Sequence, residues 1–353
     1  MKKLILFTTI ILIFVAGILY ITYGKKYLSA IDEKKVYKIK SEETTKIDTL
    51  DEFMFFNKGI IFYNNRKMLY TDYNNKILWS SENTEFSNKV FITDNNIFKQ
   101  TNNSTIMLDK NNQQLIIDEI KGNIVNVSRE NEKTAIIVSG NGQSLFILNE
   151  NNQTVVDNKE FKDIITGISI SDKSESYSLI TLKFEEGAPI NTLFFNLIDN
   201  VELWSTKIEK EFLIKTQVIN NNVIAIGTEN IYFFNNNGKL MWKNNIYNKI
   251  LDYEISKENQ RIYMLYDNKN NVELISYNFE GKIMEIQELP PNVTSLKVFD
   301  NRVLTYNNNS IYLLHSKKAD KIFEDTVSFN DFKIEGNNIY ILFKEKLIQG
   351  QIK

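Results

Sequence analysis

NNVIAIGTENIYFFNNNGKLMW, Asn221 to Trp242, holds three short apolar strands separated by polar turns and ends on tryptophan. Its strands are rich in Ile, Val, Tyr and Phe, and its turns in Asn, Lys and Gly. That is the strand-and-hairpin pattern. The same unit recurs as IIFYNNRKMLYTDYNNKILW (Ile60 to Trp79), RIYMLYDNKNNVELISYNFEGKIME (Arg261 to Glu285) and RVLTYNNNSIYLLHSKKADKIFE (Arg302 to Glu324). Weaker copies span Asn96 to Ile117, Thr134 to Val156 and Tyr177 to Trp204, and a last one starts at Asn337. Eight hairpins result.

Each hairpin follows another short apolar strand, such as Met54-Phe55-Phe56, Ile168-Ser169-Ile170 or Leu296 to Phe299. A unit therefore has about four strands. Closing positions lie 37 residues apart from Trp79 to Ile116, 40 from Ile116 to Val156, 48 from Val156 to Trp204 and 38 from Trp204 to Trp242. Four strands in about 40 residues is the size of a propeller blade. The pattern predicts an all-β, eight-bladed β-propeller over residues 36–353. Seven blades, or a pair of β-sandwiches, are the alternatives. The last copy shows three strands before the chain ends. Val36-Tyr37-Lys38-Ile39 is expected to supply its fourth and close the ring, which also hides edge strands.

Composition narrows the function. The chain has 353 residues, 42% of them hydrophobic and 24% charged, with a formal net charge of -2. It can fill a large core, and it lacks the global positive field of a nucleic-acid binder, so no nucleic-acid partner is expected. There is no cysteine, which excludes disulfides, thiolate metal sites, Cys nucleophiles and lipoprotein attachment. The single histidine excludes any two-histidine mechanism. Glycine is scarce at 13, and 47 asparagines take its place at turns, because Asn tolerates left-handed backbone.

The amino terminus reads differently. Leu4 to Tyr23, LILFTTIILIFVAGILYITY, carries no charge and is long enough to cross a bilayer core. It exceeds the apolar stretch of a signal peptide, the alternative, and no A-x-A cleavage site follows it. Residues 1–24 are read as an uncleaved anchor and 25–35 as a short charged linker. The expected address is the cell membrane, single-pass, with the cytoplasmic membrane engaged through residues 4–23. The basic tail ahead of the span is the usual signal-anchor arrangement and places the propeller on the extracytoplasmic side, although lysines on both flanks make the charge bias itself uninformative.

Two units close on Lys76-Ile77-Leu78-Trp79 and Lys239-Leu240-Met241-Trp242, the second after Asn237-Gly238, and Val201-Glu202-Leu203-Trp204 is a third version. This resembles the quinoprotein-type (PQQ-like) propeller repeat, whose blades end in a D-x-x-T-G-K-x-x-W pattern. Only three of the eight units keep the Trp, and Asn-Asn mostly replaces Thr-Gly. The resemblance implies that Trp79, Trp204 and Trp242 pack between blades. It also implies an envelope setting, in which some members oxidise alcohols or sugars with a quinone and others are protein-binding scaffolds. With its own span and no lipoprotein Cys, the chain looks most like the single-span, membrane-anchored propellers of Gram-positive, clostridial surfaces. A stacking platform for a sugar or cofactor is the other reading of the tryptophans.

Chemistry is sparse. His315 ends a strand with no orienting partner in sequence, no G-x-S-x-G elbow or phosphate loop occurs, and the Asp- and Asn-rich turns mix in lysine. No residue is assigned a catalytic, cofactor-binding or metal-binding role, and no cofactor is expected. One segment departs from the short polar turns: Lys183-Phe184-Glu185-Glu186-Gly187-Ala188-Pro189-Ile190, read as an inserted loop. Loops carry function more often than cores. Phe184, Glu185, Glu186, Gly187 and Pro189 are the candidate partner-binding residues, with a merely tolerated insertion as the alternative. The expected function is a non-enzymatic envelope scaffold that binds a protein or glycan through a propeller loop face. A quinone-dependent dehydrogenase or other propeller enzyme, and a ligand-binding sensor, are the alternatives.

Overall fold

The computed structural model describes residues 39–46, 52–64, 67–82, 90–100, 104–120, 122–140, 142–171, 173, 175–269, 271–315 and 318–352. These residues form eight four-stranded antiparallel sheets and no helix. The sheets are the blades of a propeller. Blades 1 to 7 cover residues 52–82, 90–117, 123–161, 164–209, 213–245, 249–289 and 295–324. Blade 8 takes three strands from residues 331–352, and its outer strand is Ile39–Lys46, paired with Lys346–Ile352. The count is eight, not seven. The closing strand comes from the amino-terminal side and meets the expected Val36 to Ile39 at Ile39, while residues 36–38 lie outside the described residues. IKSEETTK has no apolar alternation, so only its backbone pairing reveals it as a strand. The anchor, residues 4–23, lies outside the described residues. Among the described residues no helix is long and apolar enough to cross a membrane.

The turn chemistry explains why the unit repeats. In blades 1, 2, 3, 5 and 6 the turn before the outer strand opens on Asp72, Asp109, Asn149, Asn235 or Asn278. Each side-chain oxygen accepts N–H bonds from the residues two and four positions on, at 2.7–3.0 Å in blades 1, 2, 3 and 5 and 2.9–3.1 Å in blade 6. This Asx geometry satisfies the turn's own backbone. The fourth residue of each turn is left-handed: Asn75, Asn112, Asn152, Asn200, Gly238 and Gly281 in blades 1 to 6. Asparagine and glycine are the residues that visit this region at least cost.

The core is a ring of layers. Each of eight clusters of buried apolar side chains lies between two adjacent blades. Between blades 5 and 6, for example, Ile224, Ile226 and Ile231 pack on Ile262, Met264 and Tyr266. Polar side chains stitch the joints as well. Gln100, Gln143 and Asn191 accept the N–H groups of Ile124, Ile165 and Leu213, 2.6–3.1 Å away, where the next inner strand is bulged. Those N–H groups would otherwise be orphaned by the bulge.

The topology gives the disc two faces. In each blade the turn after the inner strand and the turn before the outer strand share one face. The middle turn and the link to the next blade share the other.

Candidate functional site

Three regions collect features that a bare scaffold does not need. They are the central channel, the hairpin of blade 4 and the tryptophan joints.

The channel holds a cavity of about 610 Å³ lined by the inner strands or first turns of blades 1, 2, 6, 7 and 8. Most inner-strand positions are apolar or small, so a charge there stands out. Lys297, on the inner strand Ser295–Phe299, forms an ion pair with Asp331 of blade 8. It also donates to the Phe332 carbonyl at 3.2 Å and lies 4.8 Å from the centre of the Phe332 ring. Lys333 pairs with Glu335 at 2.9 Å and donates to the Asn57 carbonyl of blade 1, which ties the last blade to the first. The Tyr73 hydroxyl donates to Glu335 at 3.0 Å. Burial, and then the Glu335 charge, pushes that phenol far above its ordinary range.

Glu254, on the inner strand Lys249–Ser256, is the titratable group of this channel most relevant to pH. Burial raises its pKa, Lys215 and Lys297 oppose the rise, and Asp252 adds to it. A carboxyl with a raised folded-state pKa binds more protons in the native state than in the unfolded one. Its contribution to stability is present at acid pH and is lost as pH rises from the ordinary Glu range through the raised value. Glu254→Gln is therefore expected to stabilise the protein at pH 7 and to leave stability near pH 4 unchanged. Urea midpoints at the two pH values check this; a loss of stability at pH 7 would show that the lysines dominate.

The hairpin is not a loop. Ser176–Glu185 and Ala188–Leu197 are ten-residue strands in unbroken register, joined by the two-residue turn Glu186-Gly187. Both turn residues have positive φ, 50° and 81°, as a primed turn demands. Pro189 falls opposite Phe184 and one step from the Glu185–Ala188 pair that closes the turn. The alternation of the ladder asks for no N–H toward Phe184 at that site. Its carbonyl accepts from the N–H of Lys210 at 3.0 Å. Lys183 and Glu185 form an exposed ion pair. Phe184 is 57% exposed and meets Phe212, 42% exposed, edge to face with ring centres 6.1 Å apart. Phe212 lies on the link from blade 4 to blade 5, and Ile164, also exposed, opens blade 4 opposite Leu182. The hairpin tip, Phe212 and Ile164 therefore share the face opposite the channel residues Asn57, Lys58, Asp94 and Asn95.

The tryptophans sit at three separate joints, away from both regions. Trp79, Trp204 and Trp242 lie on outer strands, and each indole N–H donates to a carbonyl of the next blade: Lys110 at 2.9 Å, Asn236 at 3.1 Å and Phe279 at 2.9 Å. Trp204 and Trp242 also press on the left-handed glycine of the next closing turn. A Cβ on Gly238 or Gly281 would come within 2.8 or 2.7 Å of the indole ring. Glycine is needed there twice over, for φ and for space.

His315 borders a smaller cavity between blades 6 and 7. Among the described residues no group of three or more His, Asp or Glu side chains is placed to hold a metal ion.

The chain matches the family described as Family of unknown function (DUF5711) over residues 31–350. It belongs to that family. Among curated proteins none matches it. Solved structures agree on the fold. BamB from Moraxella catarrhalis superposes with a TM-score of 0.56 at 11% identity, covering 90% of this chain and all of that one. A eukaryotic initiation factor gives 0.56 at 9% identity, with 84% and 83% covered. At such identities these likenesses establish the propeller and nothing about its ligand.

The channel charges come from five blades, so no motif in sequence announces them. Their local sign is a charge flanked by apolar residues on an inner strand, as in Tyr253-Glu254-Ile255, Leu296-Lys297-Val298 and Phe332-Lys333-Ile334.

Proposed function

We propose that this protein is a membrane-tethered scaffold that binds a protein partner through the hairpin face of its propeller. The observation that carries the proposal is the solvent-exposed aromatic pair Phe184–Phe212, held on a rigid two-stranded projection and rimmed by the Lys183–Glu185 ion pair. An aromatic anchor inside a polar, charged rim is the make-up of a protein-binding hot spot. The long hairpin supports it further, since its neighbours need no such length to connect strands.

The tether fits this orientation. Ile39, where the closing strand starts, pairs with Ile352 at the end of the disc opposite the hairpin tips. The closing strand thus begins on the face away from the hairpin, and a membrane tether attached on that side would leave the hairpin pointing away from the lipid and turn the channel mouth towards it.

A photo-crosslinking residue at Phe184 tests the reading in intact cells, with the same residue at Lys282 on the opposite face as control. Discrete protein adducts are expected at position 184 and not at 282. Equal adducts at both, or none at 184, would reject the hairpin surface. With the adduct in hand, Phe184→Ala with Phe212→Ala is expected to weaken binding by about 30-fold, the effect of losing one hot-spot contact of roughly 2 kcal/mol. Protease added to protoplasts tests the address separately: a fully protected propeller would overturn the extracytoplasmic placement and leave the surface untouched.

A further inference from the structure

Blades 1 to 6 can be compared position by position, because each closing turn carries one left-handed residue. Four residues further on, the outer strand places Trp79, Ile116, Val156, Trp204, Trp242 and Glu285. Their partners across the sheet are Tyr70, Ile106, Ile147, Phe195, Phe233 and Ser276. Five pairs are apolar, and in four of them, all but the exposed Ile116 with Ile106, the side chains fill the joint with the next blade. In the sixth, both members are polar.

The joint between blades 6 and 7 is where this exchange leaves space. A cavity of about 290 Å³ opens there, lined by Glu285 and Ser276 together with Arg261, Tyr263, Gln287 and Asn301. Its remaining walls include Leu274, Val303 and Leu314. Ser276 is 2% exposed and Gln287 7% exposed. Neither Ser276 Oγ nor Gln287 Nε2 has a hydrogen-bond partner in the protein. Leaving two such groups closed off is unfavourable unless something bonds to them. Arg261 and Glu285 face each other at 3.7 Å with about a third of each side chain exposed, so they stand at the mouth and cancel in charge.

We propose that this vacated indole slot is a binding site for a neutral, ring-sized polyol such as a single saccharide unit. The size is right, because ligand pockets begin near 300 Å³ and a slot at that limit takes one ring and not a large cofactor. The chemistry is right as well. A hydroxyl both donates and accepts, so neighbouring hydroxyls can satisfy Gln287 Nε2, which only donates, and Ser276 Oγ, which does either. The apolar wall offers a surface for the ring's C–H face. The balanced Arg261–Glu285 pair gives no reason for a net charge on the ligand. Burial also holds the Glu285 carboxyl above its ordinary range despite Arg261. The site lies on the channel-mouth side of the disc, away from the hairpin, and is independent of the partner surface proposed above.

Saturation-transfer NMR on the full chain, in a detergent without a sugar headgroup, tests it with D-glucose, D-galactose and N-acetyl-D-glucosamine as probes. At least one is expected to receive saturation with millimolar affinity. Refilling the slot with the repeat's own residues, Glu285→Trp with Ser276→Phe, should abolish the transfer without lowering the melting temperature. Gln287→Leu should weaken binding about tenfold, the loss of one hydrogen bond. Phe184→Ala should leave it intact. No transfer to any of the three sugars would overturn the proposal, as would transfer that survives in the refilled variant. Binding of a zwitterionic amino acid in their place would overturn the neutral-polyol assignment.

Discussion

Glu211→Ala is expected to lower the stability of the propeller by about 4 kcal/mol, because it strands several buried donors at once. Glu211 is 4% exposed and lies on the link between blades 4 and 5. Its carboxylate accepts from the N–H groups of Glu229 at 3.1 Å and Asn230 at 3.2 Å, from the Asn230 side chain at 2.9 Å, and from the Tyr232 hydroxyl. The Glu211 carbonyl is held in turn by Asn191 at 2.6 Å. One side chain therefore ties the link between blades 4 and 5 to the middle turn and third strand of blade 5. Each donor left without a partner costs about 1–3 kcal/mol, and water admitted near the surface recovers part of the sum. Gly227 limits the repair, since a Cβ there would lie 2.2 Å from the Glu211 carboxylate, so the pocket is tight around the native group. Glu211→Gln keeps one acceptor and should cost about half as much. Urea denaturation compares the three proteins. An unchanged midpoint in Glu211→Ala would mean that the donors find other partners without loss. Because Phe212 is the next residue, the same substitution should also loosen the aromatic surface on the hairpin face.

The fold was largely legible because its signals are local and repeated. The alternation of each strand, the Asn-rich turns and the short apolar strand ahead of each hairpin are all short-range, and eight repetitions average out the weak copies. Among the described residues, nine of the fifteen non-glycine residues with positive φ are asparagines, which is the turn role that composition suggested. Misreadings arose where local composition and backbone disagree. Lys183 to Ile190 looks like a loop, since it contains Gly, Pro and three charges. Yet Glu186-Gly187 satisfies a two-residue turn and Pro189 occupies a site that needs no N–H toward its partner, so the strands run on. The extent of the closing strand through Lys46 is not legible in sequence, because a polar outer strand has no pattern to read.

The sites were legible to a smaller degree, for a physical reason. Glu254, Lys297, Asp331 and Lys333 lie about one repeat apart on consecutive blades, but that they converge on one channel follows only from the inner strands standing side by side, and Lys333 reaches Asn57 only because the ring closes. The slot at Glu285 is a different case. Lys282-Ile283-Met284-Glu285 set beside Lys239-Leu240-Met241-Trp242 shows the missing indole in sequence, but Ser276 and the cavity behind it follow only from the sheet register.

Trp242→Ala is expected to cost about 3 kcal/mol, the lower end of the range for truncating a large aromatic in a core. The lower end applies because the indole is partly buried at the rim and not sealed in the centre of a layer. Three losses add. The ring stacks on Phe233 with centres 5.6 Å apart and planes within 1°, and that face would open to water. The indole N–H bond to the Phe279 carbonyl, 2.9 Å, would go, leaving an acceptor that water can reach. The closing turn of blade 6 would lose its support at Gly281, whose left-handed backbone is pressed against the ring. That turn leads directly into Ile283 to Leu289, the outer strand that carries Glu285, so the damage should travel to the neighbouring slot. Trp242→Phe keeps the stack and loses the N–H, and should recover more than half of the stability. A denaturant series on the wild type and both variants separates the contributions. If alanine and phenylalanine cost the same, the hydrogen bond to blade 6 dominates the joint, and if neither shifts the midpoint, the indole is not part of what holds blades 5 and 6 together.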